Sequence, residues 1–221
     1  MPPSRVTGIR IVPAEPKADS AQAEITVSFE NGGSSVFDAA TPDQPGLWTA
    51  KGTPGWFYGR PILFISRLDK LSVEAAVTTM AADMGGYWLR YYNSPKKRPV
   101  PAGAGKPKVA SVVLTEAYPP RKPEHGCAAA QVIITDGREF SLLSTTPSWF
   151  QKTFVEMALP FYYGPAFLFA RKLDQALIRK AVKSMAGEGD RLLCLYDTPR
   201  RTLPEVLAEF KSRHFGAAQA G

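Results

Sequence analysis

With 221 residues, 44% of them apolar and 11% aromatic, the chain has material for one large hydrophobic core or two small ones. Its longest apolar runs, 61–65 and 167–170, fall far short of a membrane span, no secretory pattern follows Met1, and its two cysteines make neither a disulfide framework nor a metal set. The formal charge of +7 is concentrated in one stretch: residues 1–95 carry eight basic and nine acidic side chains, residues 109–199 ten and nine, and residues 96–108 five basic and none acidic. A cytoplasmic, reduced protein with no membrane segment is expected.

Taken in order, residues 6–12 are β-branched and alternating, a strand closed by Pro13. Ile25, Val27 and Phe29 alternate with Thr26, Ser28 and Glu30, the period of a half-buried strand. Asn31-Gly32 then signals a hairpin, because both residues accept positive φ, and 35–39 is the return strand. Residues 43–55, rich in Pro and Gly, are expected as an irregular loop carrying Trp48, the aromatic best placed for exposure. The cluster Trp56-Phe57-Tyr58-Gly59 leads into an apolar strand, 61–68. Asp69 stands at the strand-to-helix turn, where a carboxylate accepts the free N–H groups of a first helical turn and opposes the helix dipole. Val73, Ala76, Val77, Met80, Ala81 and Met84 form one helical stripe, Gly85-Gly86 ends the helix, and 87–92 is read as a last strand.

The plan then recurs. Residues 109–114, 132–134 and 140–143 repeat the three strands, and Asp136-Gly137 repeats the hairpin turn. Residues 148–157 depart from the first copy and read as a short helix capped by Ser148, with Trp149, Phe150, Thr153, Phe154 and Met157 on one face. Phe161-Tyr162-Tyr163-Gly164, the strand 166–173, Asp174 as cap, a helix with Ile178, Ala181, Val182, Met185 and Ala186 inward, terminal glycines 187 and 189, and a strand 191–196 complete it. Between 58–81 and 163–186 the offset is a constant 105, and ten of the 24 aligned positions are identical. Most of those ten are apolar or cap-forming, so the duplication preserves a fold more than a chemistry.

The expected class is therefore α+β: two β-β-β-(loop or short helix)-β-α-β modules, mostly antiparallel with one main helix each. The first module spans 1–93, a basic Pro/Gly-rich linker 94–108, the second module 109–199, and a C-terminal helix with tail 200–221. In that last segment Thr202 is the cap, Pro204 sits in the first turn, and Leu203, Val206, Leu207 and Phe210 form the apolar stripe. In layout alone the tandem modules resemble the single-stranded nucleic-acid binders of the Whirly and PUR type, whose repeats end on the helix where these are read as continuing into a strand.

No catalytic constellation, phosphate loop or metal spacing stands out. His125-Gly126-Cys127 is the one nearby His/Cys pairing, and an incidental loop cysteine is the simpler reading; Cys194 reads as a small core residue in mid-strand. Partner-binding candidates are the aromatics Trp48, Trp56, Tyr58, Trp149 and Tyr163, which can anchor a protein or stack bases. Basic candidates are Lys96, Lys97 and Arg98 in the linker with Arg179, Lys180 and Lys183 on the second helix. The expectation is a non-enzymatic adaptor of pseudo-twofold build, without metal or cofactor, whose partner is a protein. Single-stranded DNA or RNA, held by the basic residues and aromatic loops, is the alternative.

Overall fold

The computed structural model describes residues 5–13, 22–59, 61–92, 107–118, 123–197 and 203–215. Hairpins start both halves of the chain. Strand β1 (Val6–Pro13) pairs antiparallel with β2 (Gln22–Phe29), and β2 with β3 (Ser34–Ala40). β6 (Val109–Tyr118), β7 (Cys127–Ile134) and β8 (Glu139–Thr145) do the same. Both tight turns bend in one way: Phe29 N donates to Gly33 O and Gly32 N to Phe29 O, while Ile134 N donates to Arg138 O and Gly137 N to Ile134 O. Only the glycines take positive φ, +79° and +90°, so each is a type I turn with a bulge and not the two-residue turn that Asn31-Gly32 suggested.

Between hairpin and helix the halves differ. α1 (Gln44–Trp48) is one turn long, and α4 (Pro147–Glu156) is ten residues with Trp149, Phe150, Thr153 and Phe154 buried. Thr146, not Ser148, holds the cap position of α4. Short strands β4 (Trp56–Phe57) and β9 (Phe161–Tyr162) come next, then β5 (Ile62–Ile65) and β10 (Leu168–Ala170). The result is a mixed α+β protein with two five-stranded sheets, ordered β1-β2-β3-β5-β9 and β4-β10-β8-β7-β6. Among the described strands only β3–β5 and β8–β10 pair parallel.

Neither compact unit is contiguous in sequence. Unit 1 comprises Met1–Gln44, Arg60–Arg98 and Leu159–Gly164, and unit 2 comprises Pro45–Gly59, Pro99–Ala158 and Pro165–Gly221. The aromatic segment from each half of the chain thus supplies the outermost strand, β9 or β4, of the unit that the other half builds. The linker residues 94–106 lie outside the described residues.

Helix α2 (Lys70–Ala82) buries Val73, Ala76, Val77 and Met80, and α5 (Gln175–Glu188) buries Leu177, Ile178, Ala181, Val182, Met185 and Ala186. Asp69 caps α2 by accepting from Ser72 N at 2.8 Å, and Asp174 caps α5 by accepting from Leu177 N at 2.9 Å. Those backbone N–H donors hold both carboxyls below the usual aspartate range. A depressed carboxylate stabilises the fold above the unfolded value of about 3.9 and loses that contribution as pH falls through the folded value. Asp69→Asn with Asp174→Asn, which keeps the caps and removes the titration, is expected to flatten the acid limb of stability against pH below about 4. Chemical denaturation at pH 7 and pH 3 checks it; an unchanged difference between the two pH values contradicts it.

The expected last strand of each module is a helix: α3 (Tyr87–Tyr92), reached through a 3-10 turn at Asp83–Gly86, and α6 (Asp190–Tyr196). Leu89 and Tyr92 are buried at spacing three, as are Leu193 and Tyr196, whereas a strand would bury every second residue. Aromatic content suggested a strand, and tertiary packing overrides it. Cys194 accordingly sits exposed on a helix, not in a strand core. Helix α7 (Leu203–Phe215) buries Leu203, Val206, Leu207 and Phe210, the stripe read from sequence.

Candidate interaction site

In unit 2 the segment from Pro45 to Gly59 is braced by its own hydrogen bonds. Thr49 Oγ1 donates to Pro45 O at 2.9 Å, Thr53 Oγ1 to Ala50 O at 2.7 Å, and Gly55 N to Thr53 Oγ1 at 3.1 Å. Arg171 N donates to Gly55 O at 2.9 Å, and β4 then pairs with β10, Phe57 opposite Phe169 and Trp56 opposite Ala170. Trp56 and Tyr58 pack against the core built by β6–β8, β10 and α5. Each bond fixes a loop that composition alone would leave unconstrained.

The Tyr-Gly step anchors the end of this segment. Tyr58 Oη donates to Glu188 Oε1 at 2.7 Å and lies 2.6 Å from Ser184 Oγ, and Gly59 N donates to Tyr196 Oη at 2.8 Å. Partial burial, with the Glu188 carboxylate beside it, raises the Tyr58 pKa above its usual value. In unit 1 Tyr163 Oη donates to Asp83 Oδ2 at 3.3 Å, Trp88 Nε1 donates to the same oxygen at 2.9 Å, and Gly164 N donates to Tyr92 Oη at 3.2 Å. Asp83 stands 105 residues before Glu188, a correspondence readable in the sequence once the offset is extended past Ala81.

The same segment carries Leu47 and Trp48. The Trp48 ring packs against Phe57 with centroids 4.3 Å apart and planes tilted by 35°, and remains half-buried, while neighbouring Leu47 is 65% exposed. Trp48 is on a helical turn and not in an irregular loop, and Leu47 has no sequence signal because a lone leucine among prolines and glycines carries no period.

The other aromatic candidates are placed differently. Trp149 and Tyr163 are 6% and 1% exposed and serve the cores of their units, leaving them no surface for a partner. Trp56 and Tyr58 are half-buried. Of the basic candidates, Lys96, Lys97 and Arg98 lie outside the described residues, whereas Arg179, Lys180 and Lys183 are exposed on α5 and form no ion pair with described residues. Burial pushes the Cys127 thiol up to about 12, the wrong direction for a nucleophile. His125 Nδ1 lies 3.1 Å from Ser148 Oγ, an exposed pair, and no described residue orients the ring from its other nitrogen.

Among the described residues no group of His, Cys, Asp and Glu is arranged to hold a metal ion, and no helix is long and apolar enough to cross a membrane. The chain matches no protein-family model, no curated protein and no solved structure.

Proposed function

We propose that this chain is a non-enzymatic protein-binding module of pseudo-twofold build, whose partner docks on Leu47 and Trp48 with Phe57, Trp56 and Tyr58 at the rim. The observation that carries this reading is the exposed Leu47 beside a Trp48 ring already fixed on Phe57. A large aromatic held in place before binding loses little side-chain entropy when a partner covers it, and hot spots are enriched in tryptophan for that reason among others. The duplication belongs to the same reading: two repeats of one fold, each completed by the Tyr-Gly segment of the other. The matching element order and the reciprocal pairs Tyr58–Glu188 and Tyr163–Asp83 support it.

Single-stranded nucleic acid is the second reading, favoured by the three exposed cations of α5 together with Lys96, Lys97 and Arg98 in the sequence. The two readings part on one comparison. Trp48→Ala is expected to weaken capture of the native protein partner by about 2 kcal/mol, roughly 30-fold. Leu47→Asp, at a position too exposed to disturb the core, should do comparable damage. Changing the six cations to Ala should matter less and leave the salt dependence shallow. A larger loss from the six charge changes, with a steep salt slope flattened by them, transfers the function to nucleic acid.

A further inference from the structure

The two five-stranded sheets treat their first strands differently. In unit 2 the outer edge of β6 is partly covered by a side chain: Gln175 Nε2 donates to Val112 O, and Leu114 N donates to Gln175 Oε1 at 3.1 Å. The amide stands in for part of a neighbouring strand and satisfies two of the four outward-facing backbone groups of Val112 and Leu114. In unit 1 the residue 105 positions earlier is Lys70, whose ammonium has no acceptor to offer a backbone N–H. Lys70 pairs instead with Glu74 at 3.8 Å on the surface of α2.

Strand alternation shows what β1 leaves open. Phe29 directs its N–H and C=O to the β3 side, so Val27 and Ile25 do too, and Ser28, Thr26 and Glu24 face β1. Their partners Gly8, Arg10 and Val12 face inward, leaving the N–H and C=O of Ile9 and Ile11 pointing outward from the sheet. No described residue accepts from or donates to these four groups. The Ile9 and Ile11 side chains lie opposite the fully buried Val27 and Ile25 but are themselves only half-buried, because the sheet stops there. On α2, which packs against β1, Leu71 is 78% exposed.

We propose that β1 is a self-association edge: two copies of this chain pair β1 against β1, antiparallel about a two-fold axis, and join their unit 1 sheets. A two-fold edge must be self-complementary, and this one is. Centred on Ile9, the pairing exchanges the free N–H and C=O of Ile9 between the copies, sets Arg10 opposite Gly8 of the second copy and brings Ile11 opposite its Thr7. The alternative register, with Arg10 opposite Arg10, is disfavoured by like charge. Residues 1–95 are close to neutral, so the surfaces meet without net repulsion, and the charge excess lies elsewhere. Residues 93–106 of the same chain carry Pro95, Pro99 and Pro101, which break the run of N–H donors a ladder needs. Arg10 and the register shift between Val6 and Gly8 limit the contact to a short stretch, so growth beyond a pair is blocked.

Sedimentation of the full chain, carried up to about 1 mM because so small an interface belongs to the weak class, tests this. The mass is expected to rise from the 24.1 kDa of one chain to twice that, with concentration-dependent protection of the Ile9 and Ile11 amides from hydrogen exchange. Ile11→Pro removes an outward N–H that the β1–β2 ladder does not use and should return the protein to one chain. Lys70→Gln, which offers β1 the amide that Gln175 offers β6, should do the same without touching the strand, and decides the matter if the proline variant unfolds. A single-chain mass throughout overturns the proposal, as does a pair that survives Lys70→Gln with the Ile9 and Ile11 amides still exchanging freely.

Discussion

Residues 1–98 expressed alone will not fold into unit 1. The sheet of that unit ends in β9, which comes from the other half of the chain and pairs Tyr162 with Phe64 and Phe161 with Ile65. Ser66 N donates to Pro160 O at 2.9 Å, and Tyr92 Oη, itself fully buried, bonds to Gly164. Phe161, Tyr162 and Tyr163 are 4%, 1% and 1% exposed, so the isolated half lacks three buried aromatic rings at once. Loss of one such ring costs about 3–5 kcal/mol, and a whole domain is stable by only about 5–15 kcal/mol. Far-UV circular dichroism and urea titration of the fragment should show no cooperative transition. Fusing residues 159–164 behind residue 98 through a flexible linker should restore one, because the missing strand is then present in the same molecule. A cooperative transition for residues 1–98 alone, with a monomer mass, removes the case for the exchanged segment as a structural necessity.

That exchange was invisible in the sequence, although its parts were legible. The strands of both hairpins, the caps Asp69 and Asp174 and the buried stripes of α2, α5 and α7 announced themselves through local chemistry: period, turn residues, a carboxylate ahead of an apolar run. Trp56-Phe57 and Phe161-Tyr162 read equally well in either unit, since an aromatic pair fits the edge of any small core, and only the tertiary structure chooses. The last segments, 87–92 and 191–196, failed for a related reason. Tyr87, Trp88, Tyr91 and Tyr92 favour strands by type, yet Tyr92 and Tyr196 place their hydroxyls on Gly164 and Gly59 from helices. At the candidate site Trp48 was readable as an aromatic in a turn-rich stretch. Its packing against Phe57 and the exposure of Leu47 arise in a segment braced by hydrogen bonds at Thr49 and Thr53 that no pattern encodes. The burial of Trp149 likewise needs the helix α4 and its neighbours, with the Phe150 and Phe169 ring centroids 5.2 Å apart in an edge-on pair.

The Tyr-Gly step is identical in both halves of the sequence, but its two glycines should tolerate a methyl group very differently. A Cβ on Gly164 would lie 2.3 Å from Tyr162 Oη and 2.7 Å from its Cζ, both closer than a non-bonded carbon tolerates. The Tyr162 ring is 1% exposed and has no room to retreat, and any shift of the Gly164 backbone strains the bonds to Tyr92 Oη. A Cβ on Gly59 would first meet Phe57 Cζ at 3.4 Å, an ordinary contact with a ring that is only half-buried. Overpacking a core costs about 1–3 kcal/mol, and in a chain of this size each kcal/mol lowers Tm by about 2–4 °C. Gly164→Ala is therefore expected near the top of that range, with a Tm lowered by roughly 6–12 °C, and Gly59→Ala within about 2 °C of the parent. Adding Tyr162→Phe to Gly164→Ala removes the nearest clashing atom and should recover part of the loss, which a general weakening of unit 1 would not allow. Equal effects of the two alanines in thermal unfolding would mean that the two Tyr-Gly steps are packed alike and that the tight approach of Gly164 to Tyr162 does not exist in solution.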